Sequence, residues 1–224
     1  MQYAKLWLPI LLMIMIAPFT PWLDLSIARY FYRIGGPDGH QFVSNDFTYF
    51  MYEYGTIPAW ITIGIASIAF LLSYCFRRWQ KWRSPALVLL LTIAIGAGFI
   101  THALLKEHWG RPRPKQVEEF GGMQPFRPFY QPNFNHQPEP SKSFVCGHCT
   151  MGFFFFALTL VGRRLEDKRL FWLGIGLAIV LGVALSLARM AQGGHFLSDT
   201  LMSALIMWLT ALMCDWLIYS KAER

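Results

Sequence analysis

Six apolar stretches, each bounded by polar or charged residues, divide the 224-residue chain: about Leu6–Trp22, Ile57–Phe76, Pro85–Leu105, Thr150–Gly162, Leu170–Ala188 and Thr200–Tyr219. Four of them run 19 to 21 residues, close to the roughly 20 that a helix needs to cross the hydrocarbon of a bilayer. Apolar residues make up 54% of the chain and charged residues 15%, against roughly 45–50% and about 25% in soluble domains. That balance excludes a soluble cytosolic enzyme, a disordered tail and a coiled coil. The expected fold is all-α: a polytopic membrane helix bundle with six transmembrane helices. Residues 1–224 form a single membrane domain, with no internal repeat and no separable soluble part.

Two stretches depart from the ideal. The first carries Pro18 and Pro21 near its exit, and the fourth, TMGFFFFALTLVG, has only 13 residues. Extending the fourth back through Cys146 gives 17 residues, about 25 Å of helix, and places His148 near one membrane face. The opening MQYAKLWLPILLMIMIAPF resembles a signal peptide. It lacks a small-x-small cleavage site and five more hydrophobic stretches follow, so an uncleaved first span is expected.

Six crossings place both termini on one side. Eleven of the 20 Lys and Arg residues gather there: Lys5, Arg77, Arg78, Lys81, Arg83, Arg163, Arg164, Lys168, Arg169, Lys221 and Arg224. The positive-inside rule makes that side cytoplasmic. The opposite side holds the connections 23–56, 106–149 and 189–199. In the first, LDLSIARYFYR has roughly helical apolar spacing and is expected as an interfacial helix. In the second, FRPFYQPNFNHQPEPSKSF is rich in Pro, Gln and aromatics and is expected as an irregular loop at the headgroups.

Net charge +7 alone is compatible with nucleic acid or an anionic surface, and the positions of the charges decide against nucleic acid. Lys106 closes the third stretch, Arg111 and Arg113 follow it, and Arg189 closes the fifth. His148 opens the fourth, and His195 with Asp199 opens the sixth. Singly, such residues can be snorkelling anchors. Together, cations facing one another at one end of a bundle need an anion between them, and phosphate matches the Arg fork and the compact Lys charge. The helix entry at Gly147 and His148 adds backbone N–H groups for the same guest. His195 and Asp199 lie four apart, on one helical face, where a carboxylate can hold Nδ1–H and leave Nε2 free as a nucleophile. His148 is then available to protonate a leaving oxygen. A metal has only His148, His195 and Asp199 to bind it, amid cations that repel it, so neither metal nor other cofactor is expected.

These residues resemble a known family. KEHWGRPRP, Lys106 to Pro114, is similar to the K-x6-R-P signature of the type 2 phosphatidic acid phosphatase superfamily. SFVCGH, Ser143 to His148, is similar to its second signature, usually P-S-G-H, and ARMAQGGHFLSD, Ala188 to Asp199, to its third, R-x5-H-x3-D. The long outer connection 106–149 thus carries the first two signatures, and 189–199 the third. The resemblance implies that His195 attacks phosphorus and becomes a phosphohistidine, oriented by Asp199. It implies that His148 serves as acid and then as base, and that Lys106, Arg113 and Arg189 clamp the phosphate without a metal. Gly147 and Cys146 are expected to contact the phosphate, with Arg111 as a contact outside the fixed pattern.

The second signature departs from the family at Val145 and Cys146, where Pro and Ser are usual, and a thiol is a poorer donor than a hydroxyl. Cys146 and Cys149 form CGHC, which looks like the redox motif of thioredoxin-like isomerases, but that reading wants a soluble βαβ context. Four-residue spacing places Cα atoms near the lower limit of good disulfide geometry, which favours free thiols or a weakly functional disulfide. The implied activity is hydrolysis of a phosphate or pyrophosphate on a membrane lipid, in a bacterial inner membrane with the site facing the periplasm. Candidate substrates are lipid A or another phosphoglycolipid, which the 115–142 loop favours, then phosphatidylglycerophosphate and undecaprenyl pyrophosphate. The alternatives are a lipid-to-lipid phosphotransferase and a non-enzymatic anion transporter or lipid-binding membrane protein. A transporter would want its charges near the midplane with inverted repeats.

Overall fold

The structure is a computed structural model that describes residues 2–36, 40–134 and 141–220. Of the eleven expected inner charges, Lys221, Arg224 and the side chain of Lys5 lie outside the described part. The chain starts as α1 (Gln2–Ile16), makes one 3-10 turn (Ala17–Phe19) and continues as α2 (Thr20–Ile34). Pro18 and Pro21 do not break this rod. Each occupies one of the first two positions of the segment it opens, where the missing N–H had no intrahelical partner to lose. The expected interfacial helix LDLSIARYFYR is therefore corrected: it prolongs the first span into a 29-residue helix, Leu6–Ile34.

α3 (Asp46–Tyr54) starts at Asn45, whose side chain accepts from Thr48 N at 3.0 Å while Thr48 Oγ1 accepts from Asn45 N at 3.1 Å, a reciprocal cap. α4 (Ile57–Cys75) follows, then a 3-10 segment (Arg77–Trp82), α5 (Arg83–Thr92) and a wider π-helical segment (Ile93–Lys106). After the long outer connection come α6 (Gly147–Phe153), α7 (Phe155–Arg164), α8 (Lys168–Ala191) and α9 (Leu197–Tyr219). In hydrocarbon every backbone polar group must be satisfied within the protein, and closed helices achieve this.

The count of six membrane-length helices is corrected to five among the described residues: Leu6–Ile34, Asp46–Cys75, Arg77–Lys106, Lys168–Ala191 and Leu197–Tyr219. The fourth apolar stretch is divided at Phe154 into the short helices α6 and α7. Its enclosure is the physical reason. Phe154, Phe155, Ala157, Leu160 and Val161 are all buried, so neighbouring helices, not lipid, surround the break. Backbones meet closely here: a β-carbon at Gly152 would stand 2.6 Å from Gly182 N, and one at Gly174 would stand 2.4 Å from Thr159 N. Such approaches need small residues. The pair lies along α9, with Ser203 Oγ donating to Cys146 O at 3.1 Å near one end. At the other end Arg163 and Arg164 reach Asp215 at 2.9 and 3.0 Å. From Ser203 to Asp215 is about 18 Å of helix.

The exterior carries Trp60, Ile65, Leu71 and Val180, each more than 60% exposed, as expected where hydrocarbon is the solvent. The outer connection is a packed roof. Trp109 Nε1 donates to Phe129 O at 2.7 Å, and Val117 and Phe120 pack with Phe196 and Ala28.

Candidate active site

His195 sits in the turn between α8 and α9, 2% exposed. Gly193 makes the turn with φ +62°, where a β-carbon would also strike the Phe42 ring, so glycine is required twice over. Its carbonyl accepts from Lys115 N at 3.2 Å, tying the first signature to the third. His195 Nδ1 lies 2.6 Å from Ser143 O. A carbonyl only accepts, so Nδ1 carries the proton and Nε2 keeps its lone pair. Asp199 Oδ2 is 3.8 Å from Nδ1, beyond hydrogen-bond range. The expectation that Asp199 itself holds Nδ1–H is corrected: the Ser143 carbonyl does so. Ser143 also links the two residues, its Oγ donating to Asp199 Oδ2 at 2.6 Å. The same oxygen accepts from Phe196 N at 2.9 Å.

Burial pushes the His195 imidazole down to about 4 in spite of the nearby Asp199 carboxylate. A lowered value keeps Nε2 unprotonated from neutral pH down to about 4, so the nucleophile should be lost only as pH falls through that value. In kcat/KM profiles the enzyme's acid limb is expected near pH 4, once the substrate phosphate's own ionisation at about 6 is divided out. A limb at the ordinary histidine value of about 6.5 would contradict the burial argument.

Arg111 does not face this space. It is fully buried, with Nε donating to Arg127 O at 2.9 Å, Nη1 to Ser198 Oγ at 2.8 Å and Asp199 Oδ1 at 2.5 Å, and Nη2 to Asp24 Oδ2 at 2.7 Å. Two carboxylates occupy its fork, so the expected phosphate contact at Arg111 is corrected. Cys146 is corrected as well. Its sulfur is bonded to Cys149 with Cα atoms 5.2 Å apart, within the usual range for a disulfide, and there is no thiol to donate.

Lys106, Arg113 and Arg189 behave differently. No salt bridge joins any of them to a carboxylate among the described residues. The buried Nε atoms of Arg113 and Arg189 have no hydrogen-bond partner. A cavity of about 240 Å³ is lined by Tyr52, Arg113, Lys115, Arg189, Gln192 and Gly194. Gln192 steadies the Arg189 guanidinium at 2.5 Å and is itself anchored to Thr48 O at 3.0 Å. The π-helical segment brings Lys106 to the second signature: a β-carbon at Gly147 would stand 3.7 Å from Lys106 Nζ and 2.8 Å from His102 Nε2. Buried donors without acceptors beside unpaired cations form a receptacle for an anion with several oxygens. Lys142, a further cation of the 106–149 connection, pairs with Glu107 instead.

The sequence does not single out Tyr52. Its ring stacks on His148 at 4.9 Å with a 20° tilt and carries the Arg189 guanidinium 4.9 Å from its centre, a cation–π contact. Nothing in DFTYFMYEY distinguishes this aromatic from its neighbours. His102, four residues before Lys106, does carry a sequence signal, since an ionisable residue within a span is a signal in itself. Among the described residues no three His, Cys, Asp or Glu side chains are grouped so as to hold a metal ion.

The disulfide encloses His148, yet other bonds hold the same turn. Ser203 Oγ and Thr150 N both donate to Cys146 O, and Tyr52 backs the imidazole. A crosslink closing so short a loop removes little chain entropy. Reduction, verified by mass-spectrometric thiol counting, should therefore change phosphate release by no more than about tenfold, the scale of one hydrogen bond.

Residues 85–222 match the PAP2 superfamily. The chain is 32% identical to the Lipid A 4'-phosphatase of Francisella tularensis subsp. novicida (strain U112) over 207 residues, 91% of this chain and 89% of the relative. It is 30% identical to the Lipid A 4'-phosphatase of Rhizobium leguminosarum over 126 residues, 56% of this chain and 50% of that one. No solved structure matches significantly. The family match covers more than half of the chain, and the first of these relatives aligns along nearly all of it, so the protein belongs to the PAP2 superfamily and is a phosphoric ester hydrolase of the membrane.

Proposed function

We propose that the protein removes a phosphate from a lipid A-type phosphoglycolipid through a phosphohistidine at His195. The observation that carries this reading is the 2.6 Å contact of His195 Nδ1 with the Ser143 carbonyl, which leaves Nε2 as the free ring nitrogen on a histidine whose charged surroundings include Arg113 and Arg189. In the first step Nε2 attacks phosphorus, the bond to the lipid oxygen breaks, and His148 gives that oxygen a proton. Lys106, Arg113 and Arg189 take up the charge on the transferring group. In the second step His148 accepts a proton from water, the hydroxide attacks phosphorus, and the P–N bond breaks to release inorganic phosphate. Backbone N–H groups near Gly147 support the phosphate. The lean to lipid A rests on the names of the relatives and on the Gln- and aromatic-rich roof over the site.

The test is release of inorganic phosphate from purified lipids in mixed micelles: lipid A, phosphatidylglycerophosphate, undecaprenyl pyrophosphate and phosphatidic acid. Lipid A is expected to have the highest kcat/KM. A higher value for any of the others overturns the lean, and transfer of phosphate to a second lipid with none released to water overturns hydrolysis.

We further propose six passes, with α6 and α7 together making the fourth, because that pair spans the distance between the site and Asp215. Both termini would then be cytoplasmic and the site periplasmic. Met123 in the roof is 82% exposed. With Cys75 replaced by Ser, a cysteine at Met123 should react with an impermeant maleimide from outside whole spheroplasts, and one at Lys168 only after lysis. Reversed labelling refutes the orientation.

A further inference from the structure

Asp24 lies on α2, outside the residues that match the family, and only 1% of it is exposed. Its Oδ1 accepts from Ser198 N at 2.8 Å, and its Oδ2 from Ser198 Oγ at 2.6 Å and Arg111 Nη2 at 2.7 Å. Through Nη1 the same guanidinium holds Asp199 Oδ1 at 2.5 Å. The unit has two carboxylates and one guanidinium, hence a net charge of −1, enclosed 3.8 Å from His195 Nδ1 at its closest oxygen.

Two consequences follow from the second carboxylate. Asp199 and Arg111 alone would form a closed, neutral, bidentate pair, the geometry that guanidinium and carboxylate prefer. In that arrangement Asp199 Oδ2 turns toward Arg111 and away from Ser143 Oγ, and Ser143 is the residue whose carbonyl holds His195. Asp24 occupies the other arm of the fork, so only one oxygen of Asp199 is committed to it. The second consequence is charge. When Nε2 bonds to phosphorus the imidazole becomes cationic, and a neutral pair would offset less of that charge in a buried site than a unit of net charge −1 does.

We infer that Asp24 is a positioning residue for His195: acting through Arg111 and Asp199, it limits the guanidinium to one oxygen of Asp199 and keeps a negative charge beside the ring as it is phosphorylated. This rests on the phosphohistidine reading.

The experiment compares purified wild type, Asp24→Asn and the double variant Asp24→Asn/Arg111→Gln, each screened for monodispersity and melting temperature. Asp24→Asn keeps the size and most hydrogen bonds of the site but makes the unit neutral. Its kcat should fall by roughly 10–100-fold, the range for groups coupled in one network, while KM stays near wild type. Its acid limb should move further down, because His195 then faces Arg113, Arg189 and His148 with the negative charge of Asp24 removed from the unit beside it. The double variant returns the net charge to −1, so its kcat should exceed that of Asp24→Asn. A purely structural role predicts the opposite: lower yield and melting temperature, wild-type kcat in the folded fraction, an unmoved pH profile and a double variant with no gain in kcat over Asp24→Asn. That result overturns the inference.

If Asp24→Asn does not fold, the double variant decides. A folded double variant with kcat within about tenfold of wild type supports the charge argument, and an unfolded or inactive one overturns it. His195→Ala separates the two levels. If it retains turnover, the phosphohistidine reading fails and takes this inference with it. If it is inactive while Asp24→Asn keeps wild-type kcat and pH profile, only the role of Asp24 is wrong.

Discussion

His195→Ala should abolish lipid phosphate release, with kcat reduced on the order of 10⁴- to 10⁶-fold, as when a nucleophile that acts with its partners as a unit is removed. The size follows from the geometry. Nε2 is the ring nitrogen left free by the Ser143 carbonyl, and Arg113 and Arg189 are among the charges that act on its imidazole. The two serine hydroxyls of its network are already committed: Ser143 Oγ is engaged with Asp199, and Ser198 Oγ with Asp24. The substitution removes a buried ring whose hydrogen bond is to a backbone carbonyl, so the protein should still fold. The complementary variant is His148→Ala. Given a phosphate ester with a good leaving group, which needs no acid, it should form the phosphoenzyme and fail to hydrolyse it. Rapid quench under alkaline conditions should then recover an acid-labile phosphate on the chain. Near wild-type turnover in His195→Ala at matched expression, or no trapped phosphate in His148→Ala, would contradict the covalent route.

Arg111→Gln should have the largest effect on the folded state. It leaves Asp24 and Asp199, both enclosed, without the guanidinium between them. Removing one partner from a buried ionic group costs about 3–5 kcal/mol, against a total stability of about 5–15 kcal/mol. We expect little or no monodisperse protein, and recovery when Asp24 is neutralised in the same chain. Arg113→Gln and Arg189→Gln should behave in the opposite way. Neither side chain has a carboxylate partner among the described residues, and each lies in a field of like charge with the other. Their loss should leave the melting temperature unchanged or raised while lowering kcat by about 10²- to 10³-fold, the usual effect of deleting one stabiliser of transition-state charge. Circular-dichroism melts beside kinetics would separate the two classes. An Arg111→Gln protein that melts like wild type and is impaired only in KM would restore Arg111 to the phosphate site.

The sequence by itself determined the features that rest on local chemistry. Five of the six apolar stretches are long helices because hydrocarbon admits little else over that length, and the residues at or just beyond the ends of the stretches, Lys106, Arg113, Arg189, His148 and His195, were legible as candidates from their charge and position. The tertiary structure decided the rest. Arg111 and Arg113 are the same residue type two positions apart in GRPRP, and nothing local tells them apart. Arg111 turns inward because Asp24, 87 positions earlier, packs beneath it. Asp199 lies four residues from His195, as a carboxylate holding the imidazole would, but the Ser143 carbonyl, 52 positions away, takes the proton on Nδ1. The fourth stretch could be broken at Phe154 because α8 and α9 enclose it, and enclosure is a property of neighbours. Period, length and charge are written along the chain, whereas which donor meets which acceptor depends on how separate helices pack. That packing sorted one arginine into the scaffold and left two lining the cavity beside Tyr52.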